Sequence, residues 1–319
     1  MMIKSLLLAG SLSLLGLASC VKQDEAPEGL RRAIPTADQV AIKLPGDASR
    51  TVGQLADWYV ATRNVTRTFN GGSAWVLILV HTIVQFPVTS VDDDVYTWGP
   101  WSGALDPAEY KLDVRDVGDG TYEYQLSGRS KTQPAAQFEV VIAGVSDPRL
   151  GELKGNGEFL IDFDASRRVN PIVDSDSGSG MIDSGEARGT VIATYDLTAR
   201  HLDLAINSRD VNDQPVLADY AYNETVEGGG DMTFAIAADT GGGAGVENAT
   251  LRSRWLVSGS GRADGRVTGG DLGTDEITAS ECWDTQFRRS YYIDSANFQP
   301  TEGDLATCAF ASPDLPPAN

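Results

Sequence analysis

Histidine is scarce in this chain: His81 and His201 are the only two. Far apart in sequence, they give a His-based triad or a His-ligated zinc site little to draw on. His81 sits in an apolar segment and reads as a hydrogen-bonded core residue rather than a base. Basic residues are also few, with 25 Lys and Arg against 45 Asp and Glu, a net charge of −20. Such a chain repels phosphate backbones, which excludes nucleic acid as a partner. Catalytic signatures are missing too. There is no G-x-S-x-G elbow, H-E-x-x-H, Walker A loop or G-x-G-x-x-G after a strand. A non-enzyme without organic cofactor is therefore expected. A carboxylate-based hydrolase stays as an alternative, because 45 acidic residues offer many chance pairs.

Cysteine is limited to three residues, Cys20, Cys282 and Cys308. The first closes a distinctive N-terminus. Met1 to Cys20 reads MMIKSLLLAGSLSLLGLASC: one charge at Lys4, a short run of Leu, Ala, Gly and Ser, then small residues. This is the layout of a secretory signal peptide, and its apolar part falls short of the ~20 residues that a membrane span requires. The segment Leu17-Ala18-Ser19-Cys20 resembles the lipobox of bacterial lipoproteins. That resemblance implies a leader at 1–19, diacylglyceryl transfer to the Cys20 thiol, cleavage before it and acylation of the new amine. Two or three acyl chains hold a protein firmly on a bilayer, at about 0.8 kcal/mol per buried CH₂. In well-studied lipoproteins an Asp after the Cys marks inner-membrane retention. Here Val21 and Lys22 follow, so the outer membrane is expected. Loss of the leader would leave 24 basic against 45 acidic residues, net −21, spread along the chain as a solvated surface. In an oxidising compartment, the two remaining thiols, Cys282 and Cys308, most simply pair.

Residues 20–50 are polar and carry Pro27, Pro35 and Pro45, and read as a tether; one domain over 51–310 and a tail at 311–319 follow. The strong helical signal lies in 51–86. Thr51 and Gln54 have capping-box spacing, and Val52, Leu55, Ala56, Tyr59 and Val60 share one helix face. Gly71-Gly72 predicts a break, after which Trp75–Val80 is apolar on all sides and predicts a second, buried helix ending before Pro87. A buried strand is the alternative for that run.

From Tyr96 the period changes to two. Tyr110, Leu112 and Val114 alternate with polar residues, Gly118-Asp119-Gly120 turns the chain, and Tyr122, Tyr124 and Leu126 repeat the pattern. Phe138/Val140/Ile142, Phe159/Ile161/Phe163, Val191/Ala193/Tyr195 and Leu202/Leu204/Ile206 continue it. So do Tyr220/Tyr222, Phe234/Ile236 and Leu251/Ser253/Trp255/Val257. About ten strands with one apolar and one wet face predict an antiparallel meander. A sheet that large must curl to bury its apolar face. The expectation is a mainly β fold: a strongly curved sheet or open barrel, with helical segment 51–86 packed in its concave side. A two-sheet sandwich is second.

Three clusters invite chemistry. In the loop 174–186, Asp174, Asp176, Asp183 and Glu186 are weak calcium candidates. The EF-hand pattern fails there, since Ser179 stands at the glycine position and Gly185 at the bidentate-acid position; a solvated turn is the plainer reading. Asp92-Asp93-Asp94 reads likewise as a solvated acidic turn. The aromatics of Tyr96-Thr97-Trp98-Gly99-Pro100-Trp101 read as core and turn packing, with a stacking platform for a flat ligand as the alternative.

The C-terminal part carries Glu281-Cys282-Trp283-Asp284, Tyr291-Tyr292, Asp294-Ser295, Pro300-Thr301-Glu302-Gly303-Asp304 and Cys308-Ala309-Phe310. It resembles the tail of a group of uncharacterised Gram-negative lipoproteins that share this arrangement and often the Y-T-W-G-P-W segment. The resemblance imports no activity. The expected disulfide would clamp the loop, with Trp283 and both tyrosines beneath it. Together these readings favour an envelope lipoprotein that binds or carries an apolar small molecule, a shape similar to periplasmic lipoprotein carriers at the level of fold alone. A structural or adhesive surface lipoprotein is the rival reading.

Overall fold

The structure, a computed structural model, describes residues 26–34, 36–44, 55–104, 106–148, 154–170, 188–210, 213–239 and 245–315, without the side chains of 33, 37, 38, 71–79 and 82. Lipobox Cys20, the capping-box pair Thr51 and Gln54, and the calcium candidates Asp174, Asp176, Asp183 and Glu186 lie outside these residues.

Among the described residues fifteen antiparallel strands form one sheet in sequence order, and that sheet does not close. In chain order they are β1 (Ser90–Asp92), β2 (Val95–Trp101), β3 (Ala108–Gly118), β4 (Thr121–Ser130), β5 (Glu139–Asp147), β6 (Asn156–Asp162), β7 (Thr190–Asp196) and β8 (His201–Arg209). Then follow β9 (Pro215–Glu224), β10 (Gly230–Ala238), β11 (Glu247–Trp255), β12 (Gly261–Gly269), β13 (Glu276–Trp283), β14 (Arg289–Asp294) and β15 (Glu302–Gly303). Four helices accompany them: α1 (Glu28–Ala33), α2 (Ala37–Val40), α3 (Asp57–Ile83) and α4 (Phe163–Val169).

The two-residue period predicted from the sequence survives register by register. Cross-strand partners Val114, Tyr124, Gly144, Phe159, Ala193, Leu204, Tyr220, Phe234, Leu251 and Gly265 form one continuous row on the inner face. Opposite partners share a face, so one slip anywhere would turn apolar side chains outward. In β5 the alternation does break. Leu126 pairs with Ile142 but Ser127 pairs with Val140, so Val141 is the extra residue of a bulge. Val140 faces outward and Ile142 stays buried. Two other expected strand residues also lie elsewhere: Phe163 opens α4, and Val257 is exposed in the β11–β12 turn.

Glycines let large rings lie flat on the inner face. A Cβ at Gly144 would fall 2.4 Å from the Tyr124 ring, and one at Gly261 2.3 Å from Trp283. Aromatic cover over a neighbouring glycine restores the apolar contact that the missing side chain forfeits.

The inner face is covered by helices laid across the strands. α3 runs 27 residues, or about 40 Å, as one helix. It passes straight through Gly71-Gly72, where the sequence predicted a break. Two helical glycines cost about 2 kcal/mol in propensity, an amount that tertiary packing can offset. Its contacts trace the path: Tyr59 meets Trp283, Thr62 donates to Ser253, Thr66 meets Met232, and Phe69 packs on Tyr220 and Phe234. The helix begins at Asp57, later than the capping box placed it. Leu55 instead bridges Arg288, and Ala56 N–H donates to Phe287 O. The cap comes from the sheet: buried Glu281 accepts from the backbone N–H groups of Asp57 and Trp58.

The expected tether over 20–50 is corrected over its described part. Leu30, Ile34 and Ile42 are buried, and the arm 26–44 runs antiparallel to α3. Ile42 exchanges hydrogen bonds with Asn70, and Ile34 O meets His81 Nδ1 at 3.4 Å. Apolar residues four apart in a polar background gave the arm its docking face. α4 covers another part of the inner face, with Val169 against Gly128. Asp162 caps α4 by accepting from Ala165 N–H at 2.8 Å.

Candidate functional site: an apolar groove beside the long helix

Among the described residues, helix, arm and α4 leave a stretch of the inner face half-covered. On the side of α3 away from the arm, toward the ends of β10–β13, lies a groove of about 490 Å³. Its floor is Phe234, Ile236, Leu251, Val267 and Ile277, with Ala249, Ala279 and Gly265 as shallow positions. Trp58 and Ala61 of α3 make one wall, and Tyr292 and Phe298 contribute to the other. The floor residues belong to the same apolar rows that are fully buried elsewhere, yet here they are only half-buried. The volume lies within the range of ~300–1,000 Å³ typical of small-molecule sites.

Polar groups are sparse in the lining: Asp57, Thr250, Arg266 and Tyr292. Asp57 is held by Arg289 Nη2 at 2.8 Å, and Arg266 Nε by Glu276 at 3.0 Å. Burial, aided by a hydrogen bond to Asp294, pushes the Tyr292 hydroxyl up to about 12; it is neutral at ordinary pH and gives its proton to Asp294 at 3.0 Å. Burial likewise raises Glu281 beneath the helix start, against the opposing pull of Trp58 N–H and Arg289. Among the described residues, Asp57 is the carboxylate in the lining, where glycoside hydrolysis calls for a facing pair. What the surface can do is exclude water from an apolar body.

A second hollow, of about 460 Å³, is polar. It lies between the arm and the β7–β10 turns and includes Lys43, Arg200, His201 and Glu224. Glu224 accepts from Arg200 at 2.8 Å and pairs with Lys43 at 3.3 Å. His201 is flanked by Asp203 at 2.6 Å and Asn223 at 2.7 Å. Burial lowers the His201 pKa, but these two partners outweigh it and the net shift is upward. The hollow's charges are satisfied by one another and fasten the arm to the sheet.

The remaining sequence candidates lie apart from both hollows. Asp92, Asp93 and Asp94 are exposed at the β1–β2 turn. Trp98 is buried and donates to Phe86 O at 2.9 Å, while Tyr96 and Trp101 pack against the core. His81 is half-buried beside the arm. Among the described residues no cluster of three or more His, Cys, Asp or Glu is arranged to hold a metal, and no helix is long and apolar enough to cross a membrane.

Cys282 and Cys308 form a disulfide, with Cα atoms 5.4 Å apart. It sits on the outer face. Trp283, one residue on, therefore points inward, away from it, and Tyr292 does too, while Tyr291 pairs across from Cys282. The expected packing of all three aromatics under the bridge is thus corrected by strand alternation. What the bridge clamps is a strap over β11–β13, extending into the expected free tail. Buried Arg262 pairs with Asp264 at 2.8 Å and donates to Phe310 O and Ala311 O, and Arg254 donates to Ser312 O.

The chain matches no family model, no curated protein and no solved structure. Fold and site together define a class: a mainly β protein built from one open antiparallel sheet around a long helix, with a small-molecule-sized apolar groove between them.

Proposed function

We propose that the protein is a lipoprotein of the cell envelope, anchored through Cys20 to the outer membrane, and that it binds or carries an apolar small molecule in the groove beside α3. The observation that carries the reading is the half-buried floor of Phe234, Ile236, Leu251, Val267 and Ile277 on a face buried elsewhere under helices. Contiguous exposed apolar surface of this kind costs stability in water and marks binding sites. The shape suits an acyl chain or a flat apolar body lying along α3. At its margin the Tyr292 oxygen, its proton given to Asp294, would accept from a hydroxyl end of such a molecule.

The reading is tested by titrating the purified protein with a fluorescent long-chain fatty acid. Saturable binding is expected. Ala249→Phe and Ala279→Phe fill shallow positions of the floor and should weaken it about tenfold or more, roughly 1.4 kcal/mol. A control such as Val226→Asp, in a remote turn, should leave it unchanged. Equal binding by all three variants would contradict the groove as the site.

A further inference from the structure

The meander puts the β1–β2, β3–β4, β5–β6, β7–β8, β9–β10, β11–β12 and β13–β14 turns on one rim. Two neighbouring turns there carry bare aliphatic side chains at their tips. Val226 is 91% exposed, Val257 64% and Leu256 43%. The two tips abut, since a Cβ at Gly228 would meet Val257 at 3.5 Å. Val117, at the β3–β4 turn of the same rim, is 45% exposed. Turns at a wet rim ordinarily carry polar residues, so adjacent exposed aliphatic tips imply a partner that is apolar beneath its surface.

Where the arm starts points to that partner. α1 rests on the start of β4, with Gly29 against the Tyr122 hydroxyl, and so on this same rim. Five residues, Val21–Glu25, separate Ala26 from Cys20. Whatever their conformation, they reach at most about 22 Å. An acylated Cys20 would hold the β3–β4 end of this rim within that distance of a bilayer. The groove lies toward the opposite rim, at the far ends of β10–β13.

We infer that this rim is a second membrane contact, in which Val226, Leu256 and Val257 seat in the headgroup region of a phospholipid bilayer and turn the groove away from it. The inference rests on the reading of Cys20 as the lipid attachment. The rim carries Asp93, Asp94, Asp119, Glu227 and Asp284 against Lys154, Arg200 and Arg288, an excess of acid that suits zwitterionic headgroups rather than an anionic surface. Two attachment points fix orientation where a single flexible anchor would not.

The test is hydrogen exchange on the mature, acylated protein, once on phosphatidylcholine vesicles and once in solution as the unacylated Cys20→Ser form. Peptides covering the turns 225–229 and 256–260 should exchange about threefold or more slowly on vesicles, while turn 270–275 on the opposite rim should not change. Val226→Asp with Val257→Asp, both in exposed turns, should abolish the protection while the protein still floats with the vesicles. An acylated, floating protein whose rim turns exchange as in solution would overturn the rim contact and leave the anchor standing. A mature protein without acyl mass would overturn the anchor, and this inference with it.

Discussion

The indole of Trp58 lies on the backbone of Gly265: a Cβ at 265 would stand 1.9 Å from Cη2 of that ring. This contact seats the start of α3 on β12 and sets the wall of the groove. Gly265→Ala should therefore lift the helix start and cost about 1–3 kcal/mol. The cost should largely vanish when Trp58 is also Ala, because the two residues act on one another. A double-mutant cycle by denaturant unfolding measures that coupling, and additive effects would contradict the close fit.

The strap over the outer face depends on a buried charge pair. Asp264 is fully buried and serves Arg262, Ser280 Oγ and Asp314 N–H. Asp264→Asn leaves the buried guanidinium of Arg262 without a full counter-charge. A loss of about 3–5 kcal/mol is expected on breaking such a pair. Thermal unfolding of the variant beside Asp119→Asn, an exposed turn position, separates this from a general surface effect.

The disulfide closes a separation of 26 residues. In the chain-entropy treatment its removal costs about 3–4 kcal/mol. Replacing both Cys282 and Cys308 by Ser should lower Tm and expose the strap to protease near 304–315 before the sheet unfolds. Cleavage only after global unfolding would show that Arg262 and Arg254 hold the strap unaided.

His201 gives a signed pH dependence. Its folded pKa is above the ordinary 6.5, since the hydrogen bonds to Asp203 and Asn223 outweigh burial. The stabilisation is then fully present below the unfolded pKa and is lost as pH rises through the folded one. Wild type should lose Tm relative to His201→Gln on going from about pH 6 to pH 8. A parallel course for both proteins would contradict an imidazolium bound between these partners.

Much of the sheet was legible because β3–β11 alternate large apolar residues with polar ones. β12 was not, and the reason is local. Its inward positions, Gly261, Ala263 and Gly265, are small so that Trp283 and Trp58 can lie over them, and its outward positions are Arg262, Asp264 and Arg266. Neither set shows alternating bulk. The unbroken course of α3 was hidden by Gly71-Gly72, whose local penalty is overridden by packing. The docked arm was hidden by its prolines and charges, although Leu30 and Ile34 carried a helical spacing. As for the groove, Phe234, Ile236 and Leu251 were legible as inward-facing. That they would stay uncovered depends on where α3 and α4 come to rest, which no local pattern encodes.

The central claim is that an apolar molecule occupies the space between Trp58 and the β10–β13 floor. Native mass spectrometry of the unacylated Cys20→Ser protein purified without detergent, with organic extraction of any adduct, measures this most directly. A discrete adduct of apolar character is expected, diminished in Ala249→Phe. Protein of bare polypeptide mass throughout, with no extractable apolar compound and no uptake of added fatty acid, would contradict it.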